Sequence, residues 1–339
     1  MKTKNLLGAL CFAALALLTT GLSSVVADVD QGAAFAQQPA AVNKTLCVYD
    51  PSGTTGDAYQ NAVKYQSAAA GWGVKFTLKP YTDEAVAASD FRNKKCDAAL
   101  ITGVRVQQFN RKSYSIEALG LLPSYDLLKK AVLGLSGASG ESLMKSGEFE
   151  TVGIFPAGAI YLYVSDRSVA DVKALAGKKI CTMDFDSAAK VMVSRVGAQA
   201  VPSDIGTFAA KFNNHGCDVA YAPATAYKPL ELFKGVGTTG GVVRFPLAQL
   251  TLQLLTRTAD MPAGFGAKSR TWASQSFDSF LAISKKAEGG IEAAKWIDIE
   301  GEKKAAYLSM IGDARHELVK NGAYDPTVVT AFEKLSGQK

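Results

Sequence analysis

The sequence predicts an α/β protein of two lobes, each a mostly parallel sheet flanked by helices, with strands that cross between the lobes as a hinge. A duplicated phrase is the first reason. "KTLCVYD" (44–50) and "KKCDAALIT" (94–102) return in form as "KKICTMD" (178–184) and "NHGCDVAYA" (214–222). Each copy reads Cys-x-x-Asp and then Cys-Asp-x-Ala, so Cys47 and Cys96 match Cys181 and Cys217. The second reason is the order β-α-β-α-β in each copy, which within one sheet implies right-handed crossovers and parallel strands. The third is length, since 339 residues suit two domain-sized units.

The chain opens with Lys2 and Lys4, an apolar core from Leu6 to Leu18, and then small residues. That layout predicts a secretory signal peptide over 1–27, cleaved after Ala27 or alternatively after Ala36. The apolar core is shorter than the roughly 20 residues a membrane helix needs, and Leu10 before Cys11 does not fit a lipoprotein site. The mature protein is expected in the periplasm. Of five cysteines, removal of Cys11 with the leader leaves four, an even set in an oxidising compartment. Four cysteines allow three pairings, and the repeat selects Cys47–Cys96 with Cys181–Cys217. In the loop-entropy account each bridge contributes up to about 4 kcal/mol.

After a linker at "QQPAAVNK", "TLCVYD" reads as a strand and "DAYQNAVKYQSAAAGWG" as a helix ending on Gly71 and Gly73. "GVKFTLKPY" alternates as a strand, "TDEAVAASDFRNKK" is helical with Thr82 as N-cap, and "CDAALIT" is a buried strand. The second copy is shorter: strand "KKICTMD", helix "SAAKVMVSRVG", strand "AQAVP", helix "SDIGTFAAKFNNHG" capped by Ser203, strand "CDVAYAP". Segments 151–165 and 240–257 are apolar enough to cross between the lobes, and the chain from about Ser274 onward is helical. The expected organisation is lobe 1 over 43–150 with part of 241–339, and lobe 2 over 151–240 with part of the C-terminal helices.

Ligands of open parallel sheets sit beyond the carboxyl ends of the strands. Those ends carry Asp50, Ser52, Thr54 and Thr55, then Thr102 and Arg105, in the first copy. In the second they carry Asp184, Asp186 and Ser187, then Tyr221 and Thr225. "PSGTTG" offers N–H groups to an anion, although any β-to-α turn needs such residues. Arg105 and Arg244 are candidate carboxylate clamps, with surface placement as the alternative. Tyr161 and Tyr163 share a face of a crossing strand and could line a cleft or simply pack. Asp50 and Asp184 correspond in the repeat; two opposed carboxylates could act as acid and base, yet capping of the next helix is the commoner role. With His215 and His316 the only histidines, no metal site, cofactor or hydrolase triad is expected. The net charge of +6 without a Lys/Arg block argues against nucleic acid and suits a small anion or plain solubility.

At "DRSVADVKALAGKKICTM" (166–183), "VGAQAVP" and "CDVAYAPATAY" the sequence resembles the second lobe of the solute-binding proteins of TRAP (tripartite ATP-independent periplasmic) transporters. The tail "ARHELVKNGAYDPTVVTAFEKL" is similar to that family's closing helices, and the first lobe follows its plan. The resemblance implies a two-lobed periplasmic-binding-protein fold that closes on a small, anionic organic solute and serves membrane transporter subunits as a monomer, without catalysis. One position departs. The arginine that the family places after its Lys-Ile pair to hold a substrate carboxylate is here Cys181. Either Arg105, Arg195 or Arg244 substitutes, or the ligand is not a simple carboxylate. Alternatives are a phosphonate-like or lipid-like ligand, or an exported dehydratase-like enzyme using Asp50 or Asp184.

Overall fold

A computed structural model describes residues 41–338; the expected signal peptide and both cleavage sites lie outside them. In chain order the strands of the first half are β1 (Val42–Tyr49), β2 (Val74–Tyr81), β3 (Ala98–Thr102), β4 (Lys145–Ser146) and β5 (Phe149–Val164). Those that follow are β6 (Lys179–Met183), β7 (Gln199–Ser203), β8 (Val219–Pro223), β9 (Gly241–Val243), β10 (Ala248–Arg257) and β11 (Trp296–Ile297). Along the sheet they run β2-β1-β3-β10-β5-β8-β6-β7. The two copies of the repeat therefore form two parallel triplets, β2-β1-β3 and β8-β6-β7. Antiparallel β10 and β5 lie between them.

Successive side chains of β1 face opposite sides of the sheet. Leu46 and Val48 pack with Ala62 and Tyr65 of the helix Asp57–Ala70, while Cys47 and Tyr49 pack with Ala87 and Phe91 of the helix Glu84–Arg92. Both faces of the strand are covered, as a parallel sheet requires. The second triplet repeats the arrangement. Cys181 meets Phe208 and Phe212 of the helix Ile205–Asn213, and Ile180 meets the opposite cluster with Ala188 and Val193 of the helix Ser187–Arg195. Both disulfides are present, Cys47–Cys96 and Cys181–Cys217, with Cα separations of 5.8 and 5.6 Å. Each ties the central strand of its triplet to the residue pair before the third.

Three expectations shift. The helix caps are Asp83 and Asp204, not Thr82 and Ser203. Ser203 is the buried last residue of β7 and its hydroxyl bonds the Val201 carbonyl, so the neighbouring carboxylates take the exposed N–H groups. Segment 240–257 is two strands, because Pro246, which cannot donate to a ladder, separates β9 from β10. The expected 151–165 segment is β5, whose 16 residues pair with β10 over their first part and β8 over their last. Its register against β10 shifts at Leu250/Thr251, leaving Ala157 as an extra residue beside Gly158 at φ +116°. Helices Phe265–Gln275 and Phe277–Gly289 pack on β5, Gly301–Lys320 on Ser187–Arg195, and Pro326–Ser336 on Tyr125–Ser136. The C-terminal helices thus brace both lobes. Among the described residues no helix is long and apolar enough to cross a membrane.

Candidate ligand-binding cleft

The carboxyl ends of β1 and β3 from one lobe and of β6 and β8 from the other converge on one cavity of about 560 Å³. Pro156 and Ala157 of β5 and Gln249 of β10 form part of its wall where the strands cross. Most of the lining is apolar or aromatic, including Tyr49, Tyr114, Met183, Phe185, Met192, Phe208 and Phe280. Size and lining match a site for a small organic molecule.

Asp50 follows β1 and is buried. Its Oδ1 accepts from Ser52 N (2.8 Å), and its Oδ2 accepts from Ala58 N (2.9 Å) and Tyr59 N (3.2 Å). Gly56 permits this approach, since a Cβ there would overlap the carboxylate. Asp50 is therefore occupied as the cap of the first helix. In the second lobe the cap is Asp186, whose Oδ1 accepts from Ala189 N (2.9 Å). Asp184 is exposed, because the turn after β6 is only three residues long and brings Asp186 to the helix start. The cap opposite Asp50 is thus two residues later than the repeat implied.

Two further carboxyls line the cavity from the first lobe. Glu84 Oε1 accepts from Thr102 N at 2.6 Å. Glu117 Oε1 accepts from Thr251 N (2.6 Å) and Thr251 Oγ1 (2.5 Å), with Gly103 leaving room for the carboxyl. Burial pushes Glu117 up to about 8, against the pull of the Thr251 donors and with the charges of Asp186 and Glu84 adding to the rise. Burial likewise raises Glu84, opposed by Thr102 and Arg105, and raises Asp186, opposed by Ala189, Tyr221 and others. Beneath Glu117 a buried polar chain links Gln253, Thr251, Ser113, Thr151 and Asn110.

Of the residues named from sequence, Asp50, Ser52, Thr102, Asp186, Tyr221 and Thr225 line the cavity. Tyr221 accepts from Met183 N at 3.1 Å, and Thr225 donates to the Ala157 carbonyl at 3.4 Å. Thr54 and Thr55 sit in the outer turn, where Thr55 bonds the Ser52 carbonyl. Ser187 lies just outside the lining with an unpartnered hydroxyl. Tyr161 faces away, donating to Glu288 Oε1 (3.0 Å) beside Trp296; strand alternation puts Tyr163 with it among the lobe 2 core residues. Arg244 pairs with Asp298 at 2.8 Å on the surface, and Arg195 with Glu317 at 2.7 Å. Arg105 is at the rim: its guanidinium stacks 3.6 Å from the Phe185 ring centroid, and its Nε is 3.6 Å from Glu84 Oε2. None of the three arginines lines the cavity.

Glu84, Glu117, Gln249 and Ser284 were not singled out from sequence. For Gln249 a signal existed. "AQLTLQLLTR" places Gln249, Thr251 and Gln253 at period two on a strand between two others, so one polar row had to be buried.

The family described as "Solute-binding protein AdeT 1/2" matches residues 66–339. "Probable solute-binding protein AdeT1" of Acinetobacter baumannii is 40% identical over 288 residues, covering 85% of this chain and 95% of the relative. The fold is that of TRAP periplasmic solute-binding proteins. One from Ralstonia eutropha H16 with bound (S)-2-acetolactate has a TM-score of 0.71 at 13% identity, over 88% of this chain and 99% of its own. Another, from Desulfovibrio salexigens with bound orotic acid, has a TM-score of 0.70 at 13% identity, over 87% and 98%. With a cleft between two lobes and a match over most of its length, the chain belongs to the AdeT 1/2 family of solute-binding proteins.

Proposed function

We propose that the protein captures a small organic solute between its lobes in the periplasm and delivers it to the subunits of a membrane transporter. The observation that carries this reading is the cavity of about 560 Å³, walled by strand ends of both lobes. A ligand touching both walls favours the closed arrangement by population shift. β5 and β10 are the strands shared by both lobes, and their bulge at Ala157 supports a hinge there. The lobes are taken as 43–150 and 151–240, each with part of the C-terminal segment, in a monomer. Binding rather than catalysis is supported by family membership and by Asp50, whose carboxylate is held by three backbone N–H groups. The organic acids bound by the structural neighbours and the net charge of +6 support an anionic cargo. The charges that line this cleft favour a different class of cargo within the same function.

Native mass spectrometry of the mature protein from the periplasm tests the reading. A stoichiometric small adduct, lost on activation, is expected. An adduct-free protein that also gains no thermal stability from any of a broad metabolite set would overturn it.

A further inference from the structure

The cleft is charged in one sense only. Asp50, Asp57, Glu84, Glu117 and Asp186 line it, and among its lining residues there is no Lys, Arg or His. Asp50 is consumed by backbone donors, and Asp57 is exposed at the edge. Glu84 and Glu117 from the first lobe and Asp186 from the second are all buried around one apolar space. Their charges act on one another, each of the other two raising Glu117. A carboxylate ligand among them finds no cation in the lining to pair with, in a medium that screens poorly.

Uncharged groups of the wall agree with the carboxyls. Gln249, 2% exposed, lines the cavity with an Oε1 acceptor that has no hydrogen-bond partner. Ser284, 1% exposed, presents an unpartnered Oγ to the same space. Buried acceptors without donors are costly, and a ligand that supplies donors removes the cost. Arg105, the cation at the rim, is stacked on Phe185 and sits by Glu84 rather than in the cavity. The position after Lys179 and Ile180 carries no charge either, since Cys181 is buried in a disulfide.

Resting on the solute-binding reading, we infer that the ligand is an organic cation: an amine or ammonium group on an apolar body, held between carboxyls of both lobes. The apolar wall takes the body. Glu117 and Asp186, approaching from opposite lobes, take the head, and Gln249 and Ser284 accept its N–H groups. Because such a ligand bridges carboxyls of both lobes, its binding and closure are one event. It also carries a proton signature. A cation beside the largely protonated Glu117, which Glu84, Asp186, Tyr114 and Tyr324 also face, lowers its proton affinity, so binding at pH 7 releases up to about one proton.

The test is isothermal titration of the mature protein at pH 7, in two buffers of different ionisation heat, with 4-phenylbutylamine and its acid counterpart 4-phenylbutanoate. The amine is expected to bind with proton release. Its Kd should rise tenfold or more in the double variant Glu117→Gln, Asp186→Asn, which keeps the Thr251 acceptor and the helix cap. Binding of the acid in preference to the amine overturns the inference but leaves the solute-binding reading standing. If Arg105→Gln then abolishes it, Arg105 is the anion partner instead. If neither probe binds, the copurified adduct decides. An amine supports the inference and a carboxylic acid refutes it. With no adduct and no probe binding, both readings fall.

Discussion

Replacing Glu117 by Gln should flatten the dependence of stability on pH. The Glu117 carboxyl stands at about 8 in the folded protein against an ordinary value of 4.5, chiefly because it is buried. Between those values the folded state keeps a proton that the unfolded chain has lost. The unfolded state then binds fewer protons, so stability falls as pH rises and is fully retained only below the unfolded value. At about 1.4 kcal/mol per pH unit between those values, the loss reaches about 4 kcal/mol by pH 8. Gln keeps an oxygen for Thr251 N and Oγ1 but cannot ionise. Urea unfolding of the ligand-free protein and of the variant at pH 5, 6, 7 and 8 measures the difference. Glu84 and Asp186 titrate in both proteins, so the difference between the curves reports Glu117 together with its coupling to those two carboxyls. The variant should gain on the parent by several kcal/mol across the series. Two stability curves that stay parallel from pH 5 to 8 would refute the reasoning and place a charged Glu117 in the cleft wall.

Two other predictions rest on the same framework. Replacing Cys181 and Cys217 together by Ala removes a bridge spanning 36 residues, and should lower stability by up to about 4 kcal/mol in urea unfolding; an unchanged midpoint would mean the bridge adds nothing to the triplet. Gly103→Ala places a Cβ on the Glu117 carboxyl and should cost about 1–3 kcal/mol by overpacking. Adding Glu117→Ala should recover part of that loss, and strictly additive melting shifts for the pair would exclude direct contact.

The architecture was legible because it is written in periodic features. Cys47 and Cys181 mark the central strand of each triplet, Cys96 and Cys217 precede the third strand, and alternation along each run fixes which face meets which helix. Residues at strand ends were legible for the same reason, so Asp50, Ser52, Thr102, Asp186, Tyr221 and Thr225 could be placed. The rest of the site was not. Glu84 opens an amphipathic helix, where a carboxylate is ordinarily solvated, and Thr102 and Arg105, both later in the chain, hold it inward. Glu117 sits in a short turn whose burial depends on β10, 134 residues later. A one-dimensional pattern reports the period of an element but not what packs against it from far along the chain.

That distinction bears on how cargo is read from a fold. The TRAP-like frame sets where strand ends meet, and it does so here at 13% identity to proteins holding organic acids. It does not set the charge at those ends. In this chain the position that the resemblance gives to a carboxylate-binding arginine is a half-cystine whose side chain packs on Phe208 in the core of lobe 2. A disulfide there fastens β6 to the start of β8, and the position adds no charge to the cavity wall. The carboxyls of Glu84, Glu117 and Asp186 face a cavity with nothing of opposite sign among its lining residues. Their burial is costly unless the ligand supplies what the wall lacks. The chemistry of the cargo is therefore set by what the strand ends are missing, and cation binding with proton release is the form in which that deficit becomes measurable.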